Sequence, residues 1–97
     1  MKAILIIYNK AHTEKIEYML DRLEIRGFTQ WPEVLGRGTE KGDPHMGTHT
    51  WPESNSATLT IVADDIVDTV LEKIKNLDSV NEDIGIRAFV WEIEKAV

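Results

Sequence analysis

The chain of 97 residues contains no cysteine, and this absence excludes several kinds of chemistry. Disulfide bonds, iron–sulfur clusters, thiolate zinc sites and catalytic thiols all require cysteine sulfur. Positive charge is also scarce, because 11 lysines and arginines stand against 17 aspartates and glutamates and leave a net charge of −6. Since nucleic-acid binding requires a basic surface that neutralises phosphates, we expect no nucleic-acid partner.

Long hydrophobic runs are missing as well. The most apolar run, residues 3–7, is far too short for a transmembrane helix and is followed by no signal-peptide cleavage site. We therefore expect a cytoplasmic location and no direct membrane insertion. Glycine and proline are few, and most of them fall between Gly36 and Pro52. With no repeat or linker in the rest of the chain, the sequence predicts one domain over residues 1–97.

A change of apolar periodicity marks the first strand and the first helix. Residues 2–8 are apolar at positions of both parities, which is typical of a strand covered on two faces. After a turn, apolar side chains recur at helical spacing: Ile16, Met19, Leu20 and Leu23. One apolar stripe of this kind predicts an amphipathic helix. Gly27 follows where a left-handed C-terminal cap is expected.

Two further strands and a second helix follow. Pro32 interrupts a strand predicted over residues 28–35, and because proline donates no ladder hydrogen bond this strand should be an edge or contain a bulge. A third strand over residues 57–63 leads to Asp64 and Asp65, which predict a helix N-cap. The second helical stripe comprises Val67, Val70, Leu71, Ile74 and Leu77.

The fourth strand, over residues 86–93, completes the order β-α-β-β-α-β. This order predicts an α+β, ferredoxin-like fold, in which two helices cover one face of a four-stranded antiparallel sheet. The first and fourth strands are nevertheless apolar on both faces. Because a large exposed apolar face favours association, we expect a homo-oligomer, with a trimer as the leading hypothesis.

Residues 36–56 carry most of the candidate chemistry. Gly36, Gly38 and Gly42 could present backbone N–H groups to an anion, or could form a hairpin that needs positive φ. The same loop holds two carboxylates and two imidazoles: Glu40, Asp43, His45 and His49. These side chains suit Zn²⁺, Ni²⁺ or Cu²⁺, so one hypothesis is a divalent-metal site and the other is a solvated polar loop. We expect Trp31 and Trp51, which flank the loop, to pack at its stem or at a subunit interface.

Three segments resemble the PII signal-transduction proteins, small trimeric regulators with this order of elements. VLGRGTEKG at residues 34–42 is similar to the glycine-rich end of the family's second strand. LTIVADD at residues 59–65, followed by the valine stripe, is similar to its third strand and second helix. FVWEIEKA at residues 89–96 resembles the end of its fourth strand. The likeness covers nearly the whole chain.

The resemblance implies a regulator whose inter-subunit clefts bind a small anionic ligand, with an adenine nucleotide as the family's example. Its loop, residues 36–56, corresponds to a shortened T-loop that would signal to a regulated protein such as a membrane transporter or an enzyme. The implied ligand-binding residues are Thr29, Gly36, Arg37, Gly38, Lys41, Gly42 and Arg87. No side-chain constellation in the sequence predicts catalysis, so we do not expect an enzyme.

The chain departs from the family pattern at two places. Its loop contains no tyrosine, which PII proteins carry there as a modifiable residue. Before the fourth strand, Glu82 and Asp83 stand where the family has glycine and lysine for phosphate, and Arg87 is the one cation that could replace that lysine. The alternative function is therefore a metal-binding sensor or buffer trimer that uses the loop histidines.

Overall fold

A computed structural model describes residues 1–37, 44–45, 54–80 and 85–97. In chain order the elements are β1 Lys2–Asn9, α1 Thr13–Arg22, β2 Thr29–Val34, β3 Gly36–Arg37, β4 Pro44–His45, β5 Asn55–Val62, α2 Val67–Val80 and β6 Arg87–Glu92. Short 3-10 turns precede the two helices, at Lys10–His12 and Asp64–Ile66. The predicted α+β, ferredoxin-like arrangement is confirmed, and the two-residue strands β3 and β4 are an addition that no periodic pattern could have predicted.

The main sheet has the strand order β2-β5-β1-β6, and all its pairs are antiparallel. Strands β2 and β6 are therefore its edges. The ladder between β2 and β5 shifts register between Trp31 and Val34, around Pro32. Both consequences expected of Pro32, an edge position and a bulge, are confirmed. Strands β3 and β4 form a separate small ladder at the end of β2, in which Gly36 pairs with His45.

The hydrophobic core lies between the sheet and the two helices. Its main buried members are Ile4, Ile6 and Tyr8 of β1, Ile16, Met19 and Leu20 of α1, and Val67, Val70 and Ile74 of α2. Both predicted helical stripes thus face the sheet, and burial of each large aliphatic side chain stabilises the fold by about 1.5–3 kcal/mol. Neither helix in the described part of the chain is long and apolar enough to cross a membrane.

The helix-facing side of β5 is lined by hydroxyl groups. Thr58 Oγ1 lies 2.7 Å from the Tyr8 hydroxyl in a buried hydrogen bond. Thr60 Oγ1 donates to the carbonyl of Gly27 at 2.7 Å, and Ser56 Oγ donates to the carbonyl of Pro32 at 2.8 Å. These bonds satisfy buried polar groups and attach the irregular part of β2 to the sheet, where Pro32 supplies no N–H.

Helix α1 ends in a Schellman motif centred on Glu24. The N–H of Glu24 donates to the carbonyl of Asp21 at 3.0 Å, and the N–H of Ile25 donates to the carbonyl of Leu20 at 2.9 Å. Glu24 has a φ of 60°, whereas Gly27 is not in the left-handed region. The predicted left-handed cap at Gly27 is therefore wrong. The helix ends earlier because burial of Ile25 against the core requires the chain to turn at Glu24.

The prediction that Asp64 and Asp65 supply a helix N-cap is also wrong. Ala63 occupies the N-cap position of the 3-10 turn that leads into α2, and no side chain caps it. Asp64 Oδ1 instead lies 2.9 Å from the Met1 ammonium nitrogen. The hydrogen bond from that ammonium group lowers the pKa of the Asp64 carboxyl. The Asp64 carboxylate therefore pairs with the N-terminal ammonium group and does not cap the helix.

Two single substitutions after α1 test the backbone conformation of its C-terminal cap. Glu24→Gly should raise the free energy of unfolding by about 0.5–1 kcal/mol, since glycine adopts a positive φ without a Cβ clash. Gly27→Ala should raise it by about 0.4–1 kcal/mol, because a Cβ there meets nothing within 4 Å and alanine restricts the unfolded chain. Urea titrations at equal protein concentration measure both changes. A loss of stability in Glu24→Gly would contradict the left-handed conformation of Glu24, and a loss in Gly27→Ala would contradict the conformation assigned to Gly27.

Candidate functional site

No element in the described part of the chain covers the sheet face opposite the helices, and this face is largely apolar. Registers across the four strands place its side chains in three rows: Trp31, Ala57, Ile7 and Arg87 in one, Thr29, Leu59, Leu5 and Phe89 in the next, and Ile61, Ala3 and Trp91 in the third. We call this surface the open face. On β5, Leu59 and Ile61 point to the open face while the hydroxyls point to the core, so this part of the strand is more apolar on its uncovered side.

Four large apolar side chains of the open face are exposed to solvent in the isolated chain. Trp31 is 44% exposed, Ile61 45%, Phe89 52% and Trp91 46%. Isolated exposed apolar residues are ordinary, but here they lie on three strands of one sheet face, and Leu5 and Leu59 fill the space between them. This is the arrangement of an interaction surface. Trp31 lies on this surface, which is consistent with the expectation that it packs at a subunit interface.

The predicted ligand-binding residues fall on opposite edges of the sheet. Thr29 and Gly36 belong to the β2 side, and Arg37 follows Gly36 in β3. Arg87 begins β6 at the other edge. Three strand spacings separate the two edges, a distance of about 14 Å. One protomer therefore brings Thr29 and Gly36 to the same edge but does not bring Arg87 to them.

Gly36 and Arg87 nevertheless lie at the same end of the sheet. Arg87 pairs with Ile7, which pairs with Ala57, which in turn pairs with Trp31 close to the end of β2. Arg87 is thus level with Trp31 along the strands, and Gly36, five residues after Trp31, lies beyond the same end of the sheet. Within one protomer, a ligand that contacted both Gly36 and Arg87 would have to span the width of the sheet.

Arg87 is held at its edge by its surroundings. Its Nη1 donates a hydrogen bond of 3.0 Å to the carbonyl of Ile86, a residue that is buried. The N–H of Ile86 donates to Asp78 Oδ1 at 3.0 Å, which fixes the start of β6 against the end of α2. Arg87 remains exposed, and its guanidinium group carries further N–H donors suited to a phosphate or carboxylate.

The conformation of Gly36 distinguishes between the two explanations offered for the glycines. Its φ is not in the left-handed region, so a turn that needs positive φ does not account for glycine at this position. A Cβ added there would meet nothing within 4 Å. The Cβ side of Gly36 is therefore free space, and the anion-binding hypothesis stays open at this position.

Three residues that the sequence analysis missed join the strands at the stem of the loop. The N–H of Lys10 donates to the carbonyl of Ser54 at 2.7 Å. The Glu33 carboxylate accepts from Ser54 Oγ at 3.3 Å and lies 3.4 Å from Lys10 Nζ. The sequence contains only a weak signal for this cluster. Lys10 comes directly after β1 and Glu33 directly after Pro32, but neither position belongs to a recognisable motif.

Several predicted residues lie outside the described residues. These are Gly38, Lys41 and Gly42 of the ligand set, Glu40, Asp43 and His49 of the metal set, and Trp51, Glu82 and Asp83. Of the metal set, only the backbone of His45 is described, paired with Gly36. The described ranges contain no group of three histidine, aspartate or glutamate side chains that could hold a metal ion. The metal site stays a prediction.

The sequence model of the family named nitrogen regulatory protein P-II matches residues 1–97 of this chain. The chain belongs to the P-II family. P-II proteins are signalling regulators and not enzymes, in agreement with the expectation of no catalysis, and they are generally trimers that regulate partner proteins. No curated protein matches the sequence significantly.

Solved structures of P-II-like proteins share the fold. CPII from Thiomonas intermedia K12, bound to ADP and bicarbonate, superposes with a TM-score of 0.78 at 24% identity, with 95% of this chain and 84% of that chain covered. Its apo form has a TM-score of 0.73 at 23% identity, with 95% and 87% covered. A PII-like protein from Thermus thermophilus has a TM-score of 0.67 at 17% identity, with 95% and 85% covered.

Proposed function

We propose that this P-II family member is a trimeric sensor that binds an adenine nucleotide, with ADP as the first candidate, in clefts between its subunits. The loop of residues 36–56 then presents the bound state to a regulated protein. The observation that carries this proposal is the placement of the anion-binding candidates on the two opposite sides of one sheet, at the same end of its strands.

The open face supports the trimer. In a closed ring, the open face of each copy packs against its neighbours, and the β2 edge of one copy approaches the β6 edge of the next. Burial of Phe89, Trp91 and Ile61 in this way removes apolar surface from water and contributes about 25 cal/mol for each Å² buried. The same packing completes three identical clefts, each with Gly36 from one subunit and Arg87 from another.

The chemistry of the cleft favours a phosphate-bearing ligand. Gly36 offers accessible backbone, Thr29 a hydroxyl, and Arg87 a guanidinium group that can bind two phosphate oxygens at once. Lys41 of the following loop would add a second cation. The structure of CPII with ADP and bicarbonate makes these two compounds the first to test on the present chain, and AMP is the third.

The route from ligand to partner runs through the stem of the loop. Gly36 is both a proposed ligand contact and a member of the β3–β4 ladder, so a bound phosphate acts directly on the start of the loop. Glu33 and Ser54 hold the two ends of the loop together across the strands. A ligand that orders residues between these ends would change the surface offered to a partner, which is an order–disorder switch.

A charge placed on the open face tests the trimer. Wild-type protein should sediment in analytical ultracentrifugation at three times the chain mass of 11.1 kDa. Phe89→Glu should sediment as a monomer, because a buried carboxylate without a partner costs more than the contact provides. Phe89 is exposed in the isolated chain, so the substitution leaves the core between sheet and helices intact.

Tyr18→Glu is the matched control for this experiment. Tyr18 is an aromatic residue that is 65% exposed, but it lies on α1, on the opposite side of the sheet from the open face. This variant should keep the wild-type mass. If Phe89→Glu keeps that mass as well, the open face is not the subunit interface.

Complementation between two variants tests whether each cleft is shared. Gly36→Glu should repel phosphate from the β2 edge, and Arg87→Ala should remove the cation from the β6 edge. Each variant alone should bind ADP in calorimetry roughly ten- to a hundredfold more weakly than wild type, since a charge-assisted hydrogen bond contributes about 1.5–3 kcal/mol. Co-expressed in equal amounts, they should recover wild-type affinity at about a quarter of the clefts, because each edge is intact in half of the copies.

Two substitutions that preserve the charge of the cleft serve as controls. Gly36→Ala adds only a methyl group in open space, and Arg26→Ala removes an exposed arginine from the connection between α1 and β2. Both should bind ADP as wild type does. If co-expression restores no tight sites, the two residues do not act across a shared cleft. If wild-type protein gives no heat with ADP, AMP or bicarbonate, the proposed ligand is wrong.

A further inference from the structure

A groove runs between α1 and α2 on the side of the molecule away from the open face. It encloses about 690 Å³, and its floor is formed by Met19 and Leu23 of the α1 side and Leu77 of α2. Met19 is buried, while both leucines are partly buried and pack against the core. The groove therefore offers apolar surface on a part of the molecule that neither the trimer nor the nucleotide cleft uses.

The charge at the rim of the groove is opposite to that of the chain. Lys15 and Arg22 line it from α1 and Lys73 lines it from α2, and among the lining residues that the structure describes Glu14 is the one acidic side chain. The groove thus has a local excess of two positive charges, whereas the whole chain has a net charge of −6. Cations on both walls and an apolar floor complement a molecule that has one anionic group and one apolar body.

Tyr18 orients one of these cations. The Arg22 guanidinium carbon lies 5.9 Å from the centre of the Tyr18 ring, a cation–π arrangement that holds the charge beside the groove. Tyr18 itself is exposed and adds an aromatic surface to the same wall. A ligand that binds here meets a cation whose position is already restricted, which lowers the entropic cost of binding.

The dimensions of the groove favour a small ligand over a protein segment. From Glu14 to Leu23 the helix rises about 14 Å, and the cavity volume falls in the range of about 300–1,000 Å³ that small-molecule sites occupy. A stable protein interface buries more than about 1,000 Å² in total, which a groove of this length does not provide by itself. We infer that the groove binds a single-chain amphiphilic anion, such as a medium-chain carboxylate, with its head group between Arg22 and Lys73.

Sodium decanoate is the probe that tests this inference. Titrated into the full-length wild-type protein below its micelle concentration, it should cause saturable amide shifts at Tyr18, Arg22 and Leu77 in heteronuclear NMR spectra. The double variant Arg22→Glu, Lys73→Glu should bind it roughly tenfold more weakly or worse, since two attractive charges become repulsive. Both substituted residues lie on the rim, so the core is unchanged.

Lys75→Glu is the matched control, because Lys75 is an exposed lysine of the same helix that does not line the groove. It should bind decanoate as wild type does. Equal affinity for decyltrimethylammonium would show adsorption without charge recognition and overturn the inference. Absence of saturable shifts with decanoate would also overturn the inference. It would be overturned even if an acidic amphipathic peptide bound the groove, because the proposed occupant is a small amphiphile. The double variant should still bind ADP, which separates this test from that of the nucleotide cleft.

Discussion

Two helices can cover only one face of a four-stranded sheet, and in this chain the other face is no less apolar. The constraint is most evident on β5, where Thr58 and Thr60 point to the helices and Leu59 and Ile61 point away from them. On this strand the hydroxyl groups point into the core and the aliphatic side chains point outward. This arrangement favours packing of the outer face against another surface. In the proposed trimer, folding and assembly are linked, because other copies bury the open face of each chain.

In the proposed trimer, the same constraint also determines where a ligand would bind. In the proposed trimer, the β2 edge of one sheet lies next to the β6 edge of another, and Gly36 follows the first of these strands while Arg87 begins the second. Ligand binding in such a cleft would depend on assembly of the subunits, because each subunit would supply part of the site. Since Gly36 is also the first residue of the loop ladder, the site and the signalling segment are joined by only a few residues of backbone. The opposite side of the molecule remains available for the groove between the helices.

The order of elements was predictable because each depends on local periodicity, and Pro32 defined an edge strand through chemistry that does not depend on context. The left-handed residue of the first cap was not predictable. Tertiary burial of Ile25 places it at Glu24, although glycine at position 27 is intrinsically better suited. The candidate ligand residues could be named from a resemblance, but their division between two edges depends on strand order, which no single segment encodes. The cluster of Lys10, Glu33 and Ser54 could not be predicted either, because its members come from three separate segments.

Because the chain has no cysteine, single cysteines introduced at the two edges can report the central claim without background. We would co-express Gly36→Cys and Arg87→Cys chains and treat the purified protein with a short bismaleimide. A covalent dimer is expected in the mixture and little in either variant alone, since unlike edges are neighbours in a closed ring. Failure of the mixture to cross-link, or equal cross-linking by Gly36→Cys alone, would contradict a site shared between subunits.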